Sequence, residues 1–166
     1  MKLPVVSVSL SLNEIPNRLA VAVELGNCKQ KCRGCHSPWL SIPLPKSQWM
    51  ELEDLMKRIN QQVKQGADAI VLMGGTYNGV DPNELAQAIN ILSYYAPVGL
   101  YSGLPYEAAI HKKLMSDEVK LTWLKTGEYK AKCGGLNSPS TNQRFYQKTD
   151  GCWEDVTFLF TDLKED

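Results

Sequence analysis

The sequence predicts an α/β fold in which strand–helix repeats build a parallel sheet core, closed only partway as an open βα barrel. Three observations lead there. Between residues 18 and 126, short apolar runs alternate with segments whose apolar residues recur at three- and four-residue steps. The connections between those runs have the length of crossovers between parallel neighbours, not of hairpins. Four core strands are visible, at 18–25, 69–73, 97–103 and 118–126, too few for a closed eight-stranded barrel.

Each element has its own warrant. "VVSVSLSL" (5–12) alternates apolar and polar residues, the pattern of a half-buried strand. "RLAVAVEL" (18–25) is more continuously apolar and reads as an inner strand that runs into a cysteine-rich loop. Residues 47–65 read as a helix, with Trp49, Leu52, Leu55, Met56, Ile59 and Val63 on one face, Ser47 as its cap and Gly66 as its stop. "AIVLM" (69–73) is a short buried strand ending in Gly74-Gly75. "DPNE" (81–84) opens the next helix: Asp81 caps, Pro82 takes the first turn, and Glu84 reaches back. Leu85, Ile89 and Leu92 line its inner face. "PVGLYSG" (97–103) is a strand, and 105–115 a short helix whose His111, beside two lysines, is expected in solvent. "EVKLTWLKT" (118–126) is the last core strand. Residues 127–151 are rich in Gly, Ser, Asn and Thr and read as a long surface segment, a kind of loop that commonly carries function. "WEDVTFLFTDL" closes as an edge strand. No repeat or linker divides the chain, so residues 1–166 read as one domain.

Composition narrows the function classes. Of 166 residues, 43% are hydrophobic and 22% charged, the balance of an ordinary globular domain. Eighteen Lys plus Arg balance eighteen Asp plus Glu, so bulk charge draws the chain to neither nucleic acid nor an acidic membrane. No apolar run has the length of a membrane span. Pro4 and alternating serines interrupt the N-terminal run, which therefore does not read as a secretory signal. Five cysteines, an odd number with three of them clustered, fit a metal site in a reducing cytoplasm better than a disulfide framework.

The cluster is "NCKQKCRGCHSPWL" (27–40), with Cys28, Cys32 and Cys35 spaced C-x3-C-x2-C. Thiolates are soft ligands, suited to zinc or to iron–sulfur clusters. Four would close the coordination of a structural zinc or of an ordinary four-iron cluster. Three leave one position open, where a substrate can bind the metal directly. A Cys3His zinc knuckle of Cys28, Cys32, Cys35 and His36 is the competing reading. It is weakened because Cys35 and His36 are adjacent and no second spaced pair follows. Cys133 and Cys152 are distant and read as incidental thiols.

At this point the sequence resembles a family. C-x3-C-x2-C at the end of the first core strand, with Gly74-Gly75 after the second, is similar to the radical S-adenosylmethionine (SAM) enzymes. "CRGCHSPWL" and "GGLNSPSTNQRFY" (134–146) resemble, more narrowly, the activating proteins of the anaerobic ribonucleoside-triphosphate reductase. The resemblance runs from about residue 18 to 146. It implies a [4Fe–4S] cluster on Cys28, Cys32 and Cys35, whose open iron would chelate the amino and carboxylate groups of SAM. One electron would split the sulfonium bond into methionine and a 5′-deoxyadenosyl radical, which would take hydrogen from a glycine of the reductase. It also implies an electron donor such as a flavodoxin and a cytoplasmic location, with no nucleic acid or membrane as partner.

The same resemblance implies further contacts to SAM. Gly34 and His36 would lie against the adenine, although His36 as a solvent-facing loop residue is an equal alternative. Gly74 and Gly75 would let the backbone approach the SAM amino group, although a plain strand-to-helix turn also uses glycine. Ser102 and Gly103 would lie near the ribose or carboxylate, with Lys125 facing the same rim. Two departures stand out. Thr76 follows the two glycines where the family commonly has an acid, leaving Thr76 or Asn78 to accept a hydrogen bond without a full charge. After Gly127, "YKAKC" replaces the acids the family often carries. The segment "NSPSTNQRFY" would dock the partner's glycine loop, fold over the site, or tuck Phe145 and Tyr146 into the core; a structural role is expected for those two aromatics. Two further functions remain beside the activase: radical SAM chemistry on another glycyl-radical protein or a small molecule, and a non-catalytic zinc-knuckle interaction module.

Overall fold

The computed structural model of the chain describes residues 1–29 and 38–162. Along them run β1 (Lys2–Leu3), β2 (Val5–Ser11), β3 (Ala20–Leu25), β4 (Met50–Glu51), α1 (Leu52–Lys64), β5 (Ala69–Met73), α2 (Pro82–Leu92), β6 (Val98–Tyr101), α3 (Ala109–Leu114), β7 (Leu121–Thr126), β8 (Arg144–Thr149), β9 (Cys152–Asp155) and α4 (Phe158–Asp162). Seven strands form one sheet in the order β2-β3-β5-β6-β7-β8-β9, and β1 pairs with β4 apart from it. β3, β5, β6 and β7 are mutually parallel, whereas β2 on one flank and β8 and β9 on the other are antiparallel. The fold is thus α/β with a mixed central sheet, parallel in its middle. No helix among the described residues is long and apolar enough to cross a membrane.

Residue pattern explains this order. β3 and β5 are almost wholly buried, as strands covered on both faces must be. On one face Val21, Val23, Ile70, Leu72, Val98 and Leu100 pack against Leu55 and Ile59 of α1, Leu85 and Ile89 of α2, and Leu114 of α3. On the other, Ala20, Ala22, Ala69, Val71 and Trp123 meet Ile15, Leu136 and Phe145. The strand register carries one row across this second face at the C-terminal ends of the parallel strands: Glu24 beside Met73, Met73 beside Tyr101, and Tyr101 beside Lys125.

Helix α2 starts as its sequence predicts. Asp81 accepts hydrogen bonds from the N–H groups of Asn83 (2.8 Å) and Glu84 (3.3 Å), and Pro82 occupies the first turn. Helix α1 does not. It begins at Leu52, not at residue 47, and Ser47 sits in a 3-10 turn, Lys46–Gln48, where it caps nothing. Residues 50 and 51 are taken by pairing with β1, and the Leu52 N–H reaches the Met1 carbonyl at 2.9 Å. Trp49 still packs on the core, but its indole N–H goes to the Leu44 carbonyl. At the other end Gly66, at φ +116°, stops the helix as expected.

The C-terminal part differs most from expectation. Arg144–Thr149 is not surface loop but strand β8, antiparallel to β7, and it carries the fully buried Phe145. Its Arg, Gln, Lys and Thr hide the strand signal, since a single buried aromatic anchors it. β9 is the expected edge strand, but it stops at Asp155. The Asp155 side chain accepts from both the N–H (3.0 Å) and the hydroxyl (2.7 Å) of Thr157, which turns the chain into α4 instead of prolonging the strand.

Candidate functional site

Parallel strands end together, so β3, β5 and β6 deliver three loops to one rim of the sheet. The first is the cysteine loop. Cys28 is half-buried just beyond β3, and its N–H donates to the Leu40 carbonyl at 2.7 Å. Asn27, at φ +61°, holds the Leu44 backbone with both ends of its amide. The Lys29 N–H donates to the Tyr77 carbonyl at 3.1 Å. On the far side of the loop, the Trp39 indole N–H donates to Glu24 Oε2 at 2.9 Å, while Ser7 donates to Oε1 at 2.7 Å. Both stems of the loop are therefore anchored to the sheet. Cys32, Gly34, Cys35 and His36 lie outside the described residues. The donor chemistry at Cys28, a soft thiol on an anchored stem at the strand end, fits an iron–sulfur ligand.

The second loop is Gly74-Gly75, at φ +108° and +107°. Side chains rarely adopt that region, and here space forbids them as well. A Cβ on Gly75 would stand 3.2 Å from Leu25 Cδ1 and 3.3 Å from Leu85 Cδ1. The Gly74 N–H donates to the Tyr101 carbonyl (3.0 Å) and the Gly75 N–H to Asn78 Oδ1 (2.7 Å). Both amides are thus spent inside the protein. Asn78, nearly fully buried, also donates to the carbonyls of Leu25 and Gly26. It ties the glycine loop to the root of the cysteine loop and is a strut, not a second ligand contact.

The third loop follows β6. Ser102 is fully buried, and its Oγ lies 2.8 Å from Thr76 Oγ1, so two expected contact residues from separate loops meet. His111 completes the group. It is not solvated: it is fully buried on α3, with Nε2 2.7 Å from Ser102 Oγ and Nδ1 3.3 Å from the Tyr106 carbonyl. Burial pushes its pKa below the usual histidine value, against the opposing pull of the Tyr106 and Pro105 carbonyls and of Glu107. Nothing in "AAIHKKL" distinguishes such a histidine from an exposed one, because the two lysines beside it point the helix toward solvent. Gly103 lines a separate cleft of about 440 Å³, with Tyr106, Thr126 and Tyr146.

Beneath the rim, on the face away from α1–α3, lies a cavity of about 500 Å³ lined by Met73, Tyr101, Lys125, Glu14, Leu136 and Phe160. Lys125 lines this cavity, with Nζ 4.9 Å from the centre of the Tyr101 ring. The Tyr101 hydroxyl donates to the Glu14 carbonyl. Burial, then the nearby Glu14, pushes its pKa well above the usual tyrosine value, so the phenol stays protonated. The segment 137–146 divides. Phe145 is core, as expected. Tyr146 is half-buried and packs on Tyr106 with ring centres 4.8 Å apart. Gln143 is buried at the cavity, and its amide donates to the Gly127 carbonyl at 3.3 Å. Gln143, read in the sequence as part of a docking or covering segment, packs inward here, and Glu24 is the residue that sequence reasoning passed over. Glu24 had a signal, as the one charge in the apolar run "AVAVEL".

Comparison with protein-family models, with curated proteins and with solved structures returned no match.

Proposed function

We propose that the protein is a radical SAM activase, which cleaves S-adenosylmethionine reductively at a [4Fe–4S] cluster and generates a glycyl radical on anaerobic ribonucleoside-triphosphate reductase. The observation that carries this reading is positional. A C-x3-C-x2-C loop leaves the end of a parallel strand, and the next two parallel strands bring Gly74-Gly75 and Ser102 to the same rim. On this reading the parallel strands are those of the partial barrel typical of the family. Cys28, Cys32 and Cys35 hold the cluster, and the Gly74-Gly75 carbonyls receive the SAM amine. When bound, the two groups supply one-electron cleavage of a carbon–sulfur bond. The chain's own part is to fix the ligand at the rim, above a cavity whose lining includes Met73, Tyr101 and Leu136. The protein substrate is the reductase, the electron comes from a donor such as a flavodoxin, and the setting is the cytoplasm.

Anaerobic reconstitution with iron and sulfide, then addition of SAM and dithionite, tests the chemistry. The expected result is a brown protein that forms 5′-deoxyadenosine and methionine, and a Cys32→Ala variant that forms neither. A colourless protein that takes up one zinc and leaves SAM intact would replace this reading with the zinc-knuckle module. Product formation without a glycyl radical on the reductase would point to another glycyl-radical protein or a small molecule.

A further inference from the structure

We propose that His111 and Ser102 form a positioning relay that turns the Thr76 hydroxyl into a dedicated hydrogen-bond acceptor at the rim. The donor it receives, on the function proposed above, is the amino group of SAM, and that identification rests on that reading.

The direction of each bond follows from what each atom can do. The Tyr106 carbonyl can only accept, so the imidazole nitrogen 3.3 Å from it, Nδ1, carries the proton. In a neutral ring Nε2 is then bare and must accept. Its partner at 2.7 Å is Ser102 Oγ, so the Ser102 proton points to His111. Ser102 has only lone pairs left. One receives the Leu104 N–H at 3.2 Å. The other receives Thr76, at 2.8 Å, and the Thr76 proton is committed inward. What Thr76 Oγ1 has left is lone pairs alone. A hydroxyl ordinarily serves as donor or acceptor with equal ease. Here every rotor is fixed from behind, and Thr76 behaves toward the rim as a carboxylate does, accepting only, though without charge. The fully buried positions of Ser102 and His111 keep water from reversing the chain. The lowered pKa of His111 agrees with a neutral ring.

Two measurements on the cluster-loaded full-length protein test this. The first is 15N NMR of the histidine side chains, of which the chain has only two, with His111 assigned by its loss in His111→Phe. The expected spectrum places the proton of His111 on Nδ1 and leaves Nε2 unprotonated. A ring protonated on Nε2 overturns the relay. The second is SAM affinity by calorimetry without reductant. Thr76→Val should weaken binding about tenfold, and Thr76→Ser should hold it within about twofold. Ser102→Ala, which removes a fully buried hydroxyl bonded to Thr76, should weaken it about threefold, and the double variant with Thr76→Val should be no weaker than Thr76→Val alone. If Ser102→Ala leaves affinity unchanged, or adds its full effect to Thr76→Val, the relay is overturned while the activase reading stands. If the wild type binds no SAM, the activase reading fails and the ligand assigned to Thr76 fails with it.

Discussion

The two faces of the sheet are built to different rules. The face toward α1–α3 is filled by long aliphatic side chains, Ile70, Leu72 and Leu100 against Leu55, Leu85 and Ile89. The other face is lined at its centre by Ala20, Ala22, Ala69 and Gly99, and it becomes bulky only toward Trp123 and Phe145. Both faces belong to the same strands, so strand propensity cannot explain the contrast. The difference is one of volume. The helix face is filled largely by the strands' own side chains, and the small residues of the opposite face receive Ile15, Leu136 and Phe145, while the cavity lined by Met73, Tyr101 and Lys125 lies closer to the rim. Small residues in the middle of this sheet mark where Ile15 and Trp123 pack.

The largest expected effect tests how much of the core that second face holds. Phe145 is fully buried, with its ring 4.8 Å from that of Phe160 and 6.5 Å from that of Tyr101. Phe145→Ala should lose about 4 kcal/mol in urea unfolding, as much as any aromatic truncation in a close-packed core. Leu72→Ala, on the helix face, should lose about 3 kcal/mol. A loss under about 1 kcal/mol for Phe145→Ala would mean that the C-terminal strands are an annex and not part of the core.

Adding volume sharpens the contrast. A Cβ at Gly99 would meet Ile15 Cδ1 at 3.0 Å and Trp123 Cβ at 3.3 Å. Gly99→Ala should therefore cost about 1 kcal/mol, a modest overpacking penalty. Ala22→Leu, in the same register row as Gly99, should cost about 2 kcal/mol, because Ala22 is buried in the cluster of Ile15, Trp123 and Phe145. Equal urea midpoints for Ala22→Leu and wild type would show that this part of the face has room to spare.

The contrast also explains what could be read in the sequence. The helix face was legible because burial there repeats with a period: Leu85, Ile89 and Leu92 announce α2, and Asp81-Pro82 its start. The described rim residues were legible because they carry unusual chemistry or geometry, Cys28 in a cysteine-rich run in one case and two adjacent glycines in the other. His111 was not legible, since its partners Ser102 and Tyr106 meet it only through the fold of the β6–α3 loop. β8 was missed for a related reason: four polar residues surround one Phe, and its partner strand β7 lies a long loop away. The false start of α1 came from β1, whose pairing with residues 50 and 51 no local pattern encodes.

Acid should affect the relay in a defined direction. His111 has a folded pKa below its unfolded value of about 6.5. Its neutral burial is harmless above that value. As pH falls below it the unfolded chain binds a proton that the folded chain refuses, so stability declines until the folded pKa is passed. Among the groups near it, Glu107 opposes this shift. His111→Gln should flatten the stability profile between pH 7 and the acid limb, measured as urea midpoints. An unchanged profile would mean that His111 takes up its proton in the folded state as readily as in the unfolded one.

The smallest effect belongs to the outer edge of the second face. Arg144 Nε lies 2.7 Å from Asp155 Oδ2, across the β8–β9 ladder. Burial alone would raise the Asp155 pKa, but hydrogen bonds from Arg144 and Thr157 outweigh it and the net shift is downward. Both side chains are substantially exposed, so water and salt screen the pair. Arg144→Ala should cost only about 0.5 kcal/mol at neutral pH. A lowered carboxyl pKa contributes stability above the unfolded value of about 3.9 and loses it as pH falls through the folded one. Urea midpoints of Arg144→Ala and wild type should therefore differ slightly at pH 7 and converge in acid, whereas the gap produced by Leu72→Ala should persist at every pH. A gap for Arg144→Ala that persists in acid would mean that the arginine acts through the packing of its stem on β9 and not through the carboxylate.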